Sequence, residues 1–373
     1  MYFKHKLLGL IFNILKVFPL KKEQISFIID DNNSFNFNYE NIIKEFDKED
    51  RNYQYYFFIK NKPTIKSLLK LATSKYIFLD DNYFPMAFMK FKKETEIIQL
   101  WHAPGAFKKF GYITLESESR KELLKSIGEK TTHLIISSKN LIPYYSEAFQ
   151  VKEEKIKALG FPKLDYYTKD KTSDKNIENL KREFVKKHPE ARDKKIILYA
   201  PTFRENSKYN EIFNFLDIEE FNKQLGEEYI LTIKLHPKIT KFISKESNIF
   251  KILDSDNVIN LTNKINEEKI LLISDILITD YSSIMIENTF LNKPTIFFPY
   301  DLEYYIKYER DFYFNYKEKV PGPIVYNTEE LISTIKDLKI DKKLFNNFLS
   351  FEFDYIDTYT SKRIIKTLLN EKN

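Results

Sequence analysis

Two histidines stand where strand-like runs end, His102 in QLWHAPGAFKKFG (99–111) and His236 in KLHP (234–237). Imidazole titrates near neutral pH, so one can act as general base while the other holds a phosphate as imidazolium. A lone histidine is usually structural, but two at equivalent strand ends, one in each half of the chain, bring the functional reading level with the bland one. The stretch around His102 also holds the single tryptophan, Trp101, two of the seven glycines, Gly105 and Gly111, and the pair Lys108 and Lys109.

Other strand ends carry phosphate chemistry. YAPTFRE (199–205) places Thr202 and Arg204 past a strand; a guanidinium suits phosphate oxygens, though a surface arginine commonly does nothing. In SDILITDYSSIMIENTFLNKPTIFF (274–298) a buried strand ends at Thr279 and Asp280, and Ser282 and Ser283 precede a helix starting near Ile284. The serines can cap that helix, or its free N–H groups and positive dipole end can receive phosphate oxygens. Glu287, about one turn in, can accept bonds from two ribose hydroxyls or simply complement the dipole. Lys234 precedes His236, and YDLEYYIKYERDFYF (300–314) adds Asp301, Glu309 and Arg310. The acid pairs of IIDDN (28–32) and FLDDN (78–82) look like metal-binding carboxylates but read better as strand-terminating turns, since no third ligand is evident. His5, His133 and His188 have no supporting context. The dinucleotide fingerprint and the P-loop are both absent.

The elements that position these residues alternate. ISFIID (25–30), YQYYFFIK (53–60), KYIFLDD (75–81), EIIQLW (96–101), HLIISS (133–138) and a short strand in IKALGFPKLD (156–165) are separated by helix-compatible stretches such as 117–127. After the charged segment 169–195 the pattern restarts with KIILYAPT (195–202), YILTIKLHP (229–237), NVINL (257–261), DILITD (275–280) and PTIFFP (294–299), with helical stretches at 266–273 and 283–291. Such alternation predicts parallel sheets in two doubly wound α/β domains, 1–185 and 186–373, with the last helix free to cross back and both sets of strand ends facing a shared cleft.

The 373 residues suffice for two cores, and 43% hydrophobic with 31% charged residues marks a folded chain. A net charge of +6 favours anionic partners. Zero cysteines exclude disulfides, thiolate metal sites and cysteine nucleophiles. The competing class is a non-catalytic basic protein binding membrane or nucleic acid; against it, the lysines are spread along the chain and no nucleic-acid motif occurs, so RNA or DNA is not expected as a partner. In MYFKHKLLGLIFNILKVFPL (1–20) the apolar run is too short to span a bilayer and no cleavage site follows. At helical spacing Leu7, Leu8, Ile11, Phe12, Leu15 and Phe18 share a face, with Lys4, Lys6 and Lys16 toward the other. This fits an interfacial membrane helix or a helix packed on its own domain, and the charge favours the membrane.

Together these motifs, in this order over about 95–314, resemble the CDP-glycerol glycerophosphotransferase family, the teichoic acid primases and polymerases of Gram-positive bacteria. The resemblance implies a GT-B fold, two Rossmann-like domains with the second holding the donor. It also implies transfer of an alditol phosphate from a CDP-alditol, glycerol first, to a hydroxyl of an undecaprenyl-diphosphate-linked saccharide, with release of CMP. This is phosphotransferase chemistry on a substituted phosphate, with no cofactor or metal, at the cytoplasmic face of the cell membrane as a peripheral protein. In these terms His102 is the base and His236 stabilises the pyrophosphate. Ser282 and Ser283 contact its oxygens, Arg204 and Arg310 assist, and Thr202, Lys234, Thr279, Asp280, Glu287 and Asp301 complete the donor side. Trp101, Gly105, Lys108 and Lys109 belong to the acceptor side. Many glycerol polymerases read WHGTP where this chain reads WHAPG, a form nearer the primase and ribitol-phosphate branches. A CDP-ribitol donor or a capsule polymer acceptor is the alternative, and the modest length implies a primase-like or short-chain enzyme.

Overall fold

The computed structural model describes residues 2–30, 37–205, 212–236, 253 and 258–370. Of the readings above, Asp31, Asn32, Pro237 and Asn257 lie outside the described residues. The chain divides into two units, Met1–Tyr166 with Phe351–Asn373, and Tyr167–Ser350.

The first unit is a parallel sheet of β1 (Lys21–Ile29), β2 (Gln54–Ile59), β3 (Ser74–Leu79), β4 (Glu96–Gln99), β5 (His133–Ile136) and β6 (Ile156–Ala158), in the order β2-β1-β3-β4-β5-β6. Its central strands β3, β4 and β5 are buried on both faces, as crossover helices require, while the edge strand β2 is largely half-buried or exposed. Period-two alternation divides them cleanly. Ile25, Phe27 and Ile29 of β1 with Tyr76 and Phe78 of β3 pack into one apolar cluster, while Ile28, Ile77 and Leu79 pack into another. Ile364, Ile365 and Leu368, from the helix Thr360–Asn370, complete the first cluster, so the end of the chain belongs to the first unit's core.

The second unit carries β7 (Lys195–Tyr199), β8 (Tyr229–Ile233), β9 (Val258–Asn260), β10 (Ile276–Thr279) and β11 (Thr295–Phe297), parallel and ordered β11-β10-β7-β8-β9. The order reverses between β7 and β10 here and between β1 and β3 in the first unit. Such a reversal opens a crevice at the carboxyl ends of the strands.

Two placements differ from the sequence reading. The charged stretch 169–195 does not close the first domain at 185. Ser173 caps the helix Asp174–Lys187 through Asn176 N–H, and Lys181 pairs with Asp275 at 2.8 Å, which ties that helix to the second unit. At the amino end, helix α1 (Tyr2–Leu15) does not present its predicted apolar face as a whole. Phe12 is buried, and Leu8, Ile11 and Leu15 pack against the first unit's core. Among the described residues no helix is long and apolar enough to cross a membrane.

Candidate active site

In the first unit, four neighbouring strands deliver their carboxyl ends to one place. Lys60 follows β2, Asp30 follows β1, Asp80 and Asp81 follow β3, and His102 lies just past β4. The Lys60 ammonium bridges Asp30 at 2.9 Å and Asp81 at 3.0 Å. Burial opposes that charge, yet the two carboxylates hold its pKa above the ordinary lysine value.

After β4 the backbone turns sharply at Trp101, whose φ of 60° is left-handed. A bulky side chain adopts this only when its surroundings over-determine it. Here they do. Trp101 N–H donates to Gln99 Oε1 at 2.9 Å, and its carbonyl accepts from the buried Asn38 amide at 3.1 Å. Its ring stacks on Phe110 at 5.5 Å and meets Phe149 edge-on at 4.9 Å. Gly105, at φ 75°, completes the turn, and Tyr145 O–H donates to its carbonyl at 2.7 Å. Lys108 and Lys109 are half-buried beyond it.

The turn throws His102 back over the end of β3, where Nδ1 lies 3.2 Å from the Asp80 carbonyl. A carbonyl only accepts, so this contact places the proton on Nδ1 and leaves the lone pair of the neutral ring on Nε2. The residue is exposed while protein mass stands behind it. That mass lowers its pKa from the ordinary histidine value, against the opposing pull of Asp81 and Asp80. The result is an accessible, neutral imidazole with a defined basic nitrogen.

In the second unit, Arg204 joins three strand ends. It is 0% exposed. Its Nη1 donates to Asp280 at 2.5 Å and to the Thr202 carbonyl, and Nε and Nη2 grip Asp301 at 2.9 and 2.7 Å. The rings of Tyr300, Tyr281 and Tyr305 surround the guanidinium at 4.7, 5.1 and 5.4 Å. Thr202 N–H donates to both Asp280 oxygens, at 2.9 and 3.1 Å, and Tyr281 O–H donates to Asp301 at 3.0 Å. Burial alone would raise the Asp280 pKa, but Arg204 and these donors hold it below the usual carboxylate range. The sequence reading of Arg204 as a phosphate contact, with Asp280 and Asp301 on the donor, is therefore revised. All three are spent on one another and fix the loops after β7, β10 and β11. Thr279 is likewise internal, its hydroxyl donating to the Ala200 carbonyl at 2.7 Å.

The remaining predicted residues stand around these loops. Ser282 and Ser283 are half-buried at the start of the helix Ile284–Phe290, and the Ser283 side chain makes no capping bond. Thr202 Oγ1 is buried without a hydrogen-bond partner. Lys234 is half-buried, and His236 is exposed with its ring 6.0 Å from that of Phe203. Arg310 is exposed, directly after the π-helical turn Tyr305–Glu309. Glu309 accepts from Glu205 N–H at 3.0 Å to either oxygen, tying the loops after β7 and β11. Glu287 is neither solvated nor open: it is 3% exposed and accepts from Tyr167 O–H at 3.4 Å. Lys60, Asn38 and Tyr145 carry no motif, and the one signal toward them was the acid pair of FLDDN, read as a turn.

A sheet-end site on each of two Rossmann-like α/β units defines the GT-B class. The chain belongs to the CDP-Glycerol:Poly(glycerophosphate) glycerophosphotransferase family, whose profile matches residues 10–370. It is similar to the teichoic acid ribitol-phosphate primase of Bacillus spizizenii, 36% identical over 80% of this chain and 75% of the relative. It is 33% identical to that organism's teichoic acid poly(ribitol-phosphate) polymerase over 96% of this chain, and spans 58% of that polymerase's length. The teichoic acid glycerol-phosphate primase of Bacillus subtilis is 32% identical over 73% of this chain and 68% of the relative. In fold it matches the wall teichoic acid polymerase TagF with a TM-score of 0.77 at 23% identity, covering 99% of this chain and 93% of that one.

Proposed function

We propose that the protein transfers glycerol phosphate from CDP-glycerol to a hydroxyl of an undecaprenyl-diphosphate-linked saccharide and releases CMP, as a primase-like or short-chain enzyme at the cytoplasmic face of the membrane. The observation that carries this reading is His102, accessible, neutral, and with its free nitrogen defined by the Asp80 carbonyl. Nε2 takes the proton of the acceptor hydroxyl while that oxygen forms a bond to the β-phosphorus. The bond from this phosphorus to the bridging oxygen breaks, and CMP leaves with the electron pair. Charge accumulates on phosphoryl oxygens, which preorganised donors stabilise best. Those donors are His236, Ser282 and Ser283, assisted by Thr202, Lys234 and Arg310. Trp101 and Gly105 shape the acceptor side, and Lys108 and Lys109 meet its phosphates.

CDP-ribitol is the second reading, favoured by the WHAPG turn and by the ribitol-phosphate relatives. Parallel assays of CMP release from CDP-glycerol and CDP-ribitol, with and without a lipid-linked saccharide, decide between them. Acceptor-dependent release from one donor establishes the reaction and the alditol. Silence from both overturns the proposal.

A further inference from the structure

Lys60 is a costly residue where it stands. Its N–H extends the β1–β2 ladder by donating to the Ile29 carbonyl at 2.8 Å, which fixes where the side chain starts. That side chain is 9% exposed, while the side chains of its partners Asp30 and Asp81 are 60 and 44% exposed. Desolvating an ammonium is unfavourable, and carboxylates that keep much of their water offset little of it. An apolar stem of the same length would join these strand ends at lower cost. What only the ammonium supplies is a positive charge between two carboxylates, beside His102.

Two routes connect that charge to the imidazole. The first is a chain of contacts. Lys60 Nζ holds the Asp81 carboxylate at 3.0 Å, and the Asp81 carbonyl accepts from Gln99 Nε2 at 3.4 Å. Gln99 Oε1 accepts in turn from Trp101 N–H at 2.9 Å, so one buried side chain couples the loop after β3 to the residue preceding His102. In that same loop the Asp80 carbonyl lies 3.2 Å from His102 Nδ1. The second route is electrostatic. The charges that face the ring come from neighbouring strand ends: Asp81 and Asp80 after β3 favour the imidazolium, and Lys60 after β2 opposes it. Asp30 after β1 shares the same ammonium. Without Lys60, Asp30 and Asp81 lose their counter-charge, and a ring protonated by their pull has no lone pair with which to take a proton.

We infer that Lys60 is a positioning residue for the proposed transfer: by neutralising Asp30 and Asp81 and holding the loop after β3, it keeps His102 a neutral base with Nε2 open. The inference rests on the reading of His102 as the base and adds the group that keeps it one.

The test is an NMR titration of the imidazole Cε1–H signals of the full chain, labelled at histidine and free of substrate. The chain has five histidines, and His102→Asn assigns the signal of interest. Lys60→Met keeps the stem and removes the charge, and it moves the His102 midpoint to higher pH while the other histidines stay in place. Adding Asp81→Asn returns the midpoint toward the wild type, because an unmatched carboxylate has gone, and Asp81→Asn alone moves it to lower pH. A His102 midpoint that stays or falls in Lys60→Met overturns the inference, as does a rise that Asp81→Asn does not reverse. If Lys60→Met does not fold, Asp81→Asn alone decides, and an unmoved midpoint overturns the inference. CMP release is scored separately: kcat/KM of Lys60→Met falls about threefold on the acid limb beyond any change on the plateau. A wild type silent with both CDP-alditols sinks the transferase reading and leaves the charge balance at His102 standing. Wild-type turnover with an unmoved midpoint sinks the role of Lys60 alone.

Discussion

His102 and Arg204 each follow a strand by a few residues, and their surroundings give them opposite work. His102 is accessible, and its lowered pKa keeps the ring neutral below the ordinary histidine value of 6.5. The acid limb of kcat/KM is accordingly expected below pH 6.5, because the base form of the free enzyme persists to lower pH. His102→Asn should reduce turnover about 10²- to 10⁴-fold while CDP-alditol binding, followed by calorimetry, stays near wild type. Arg204 is sealed among two carboxylates and three tyrosines. Arg204→Met leaves Asp280 and Asp301 buried without their cation, and the expected loss is about 3–5 kcal/mol in urea unfolding. Arg204→Lys recovers little of it, since an ammonium cannot reproduce the fork on Asp301. A loss confined to activity assays, with normal unfolding, would return Arg204 to the donor site.

At the scale of elements, the turn after β4 is a strained connection held by its neighbours. Trp101 and Gly105 are both left-handed, and Gly111 follows at φ 68°. At Gly111 a Cβ would lie 2.2 Å from the Ala148 carbonyl oxygen, so the position is closed by sterics as well as by φ. Gly111→Ala is expected to cost on the order of 1–3 kcal/mol by thermal melting and to lower turnover further than that loss explains, because the shift passes to Phe110 beneath the Trp101 ring. Turnover that is unchanged at a lowered melting temperature would separate this segment from the site. The second unit solves the same task differently, by tying three loops with one buried ion cluster instead of a strained turn.

At the scale of the whole molecule, the last helix makes the first unit discontinuous in sequence. Asp165 accepts from the N–H groups of Thr360 and Ser361 at 2.9 and 2.6 Å, Arg363 donates to the Leu159 carbonyl at 2.7 Å, and Ile364, Ile365 and Leu368 enter the core. Burying three such side chains contributes roughly 4–9 kcal/mol at about 1.5–3 each, comparable to a domain's net stability. A chain ending at Ser350 should therefore lose the first unit's cooperative transition in calorimetry and retain the second's. Two intact transitions would show that the crossover is dispensable.

The sequence by itself determined the eleven strands of the described residues, their two parallel sheets and the family, because buried parallel strands write themselves as short apolar runs and turn residues punctuate them. It also marked the strand ends to which we assign chemistry by proposal, from QLWH and KLHP to DYSS. Only the tertiary structure decided what each of those residues faces. Arginine and aspartate read the same in a string whether they meet a ligand or each other, and it took the approach of β7, β10 and β11 to close Arg204 onto Asp280 and Asp301. The Asp80 carbonyl, invisible as a residue type, became the partner that leaves Nε2 of His102 as the base. A helix with two apolar faces leaves periodicity unable to say which is buried, and contact with Phe88 made that choice for α1.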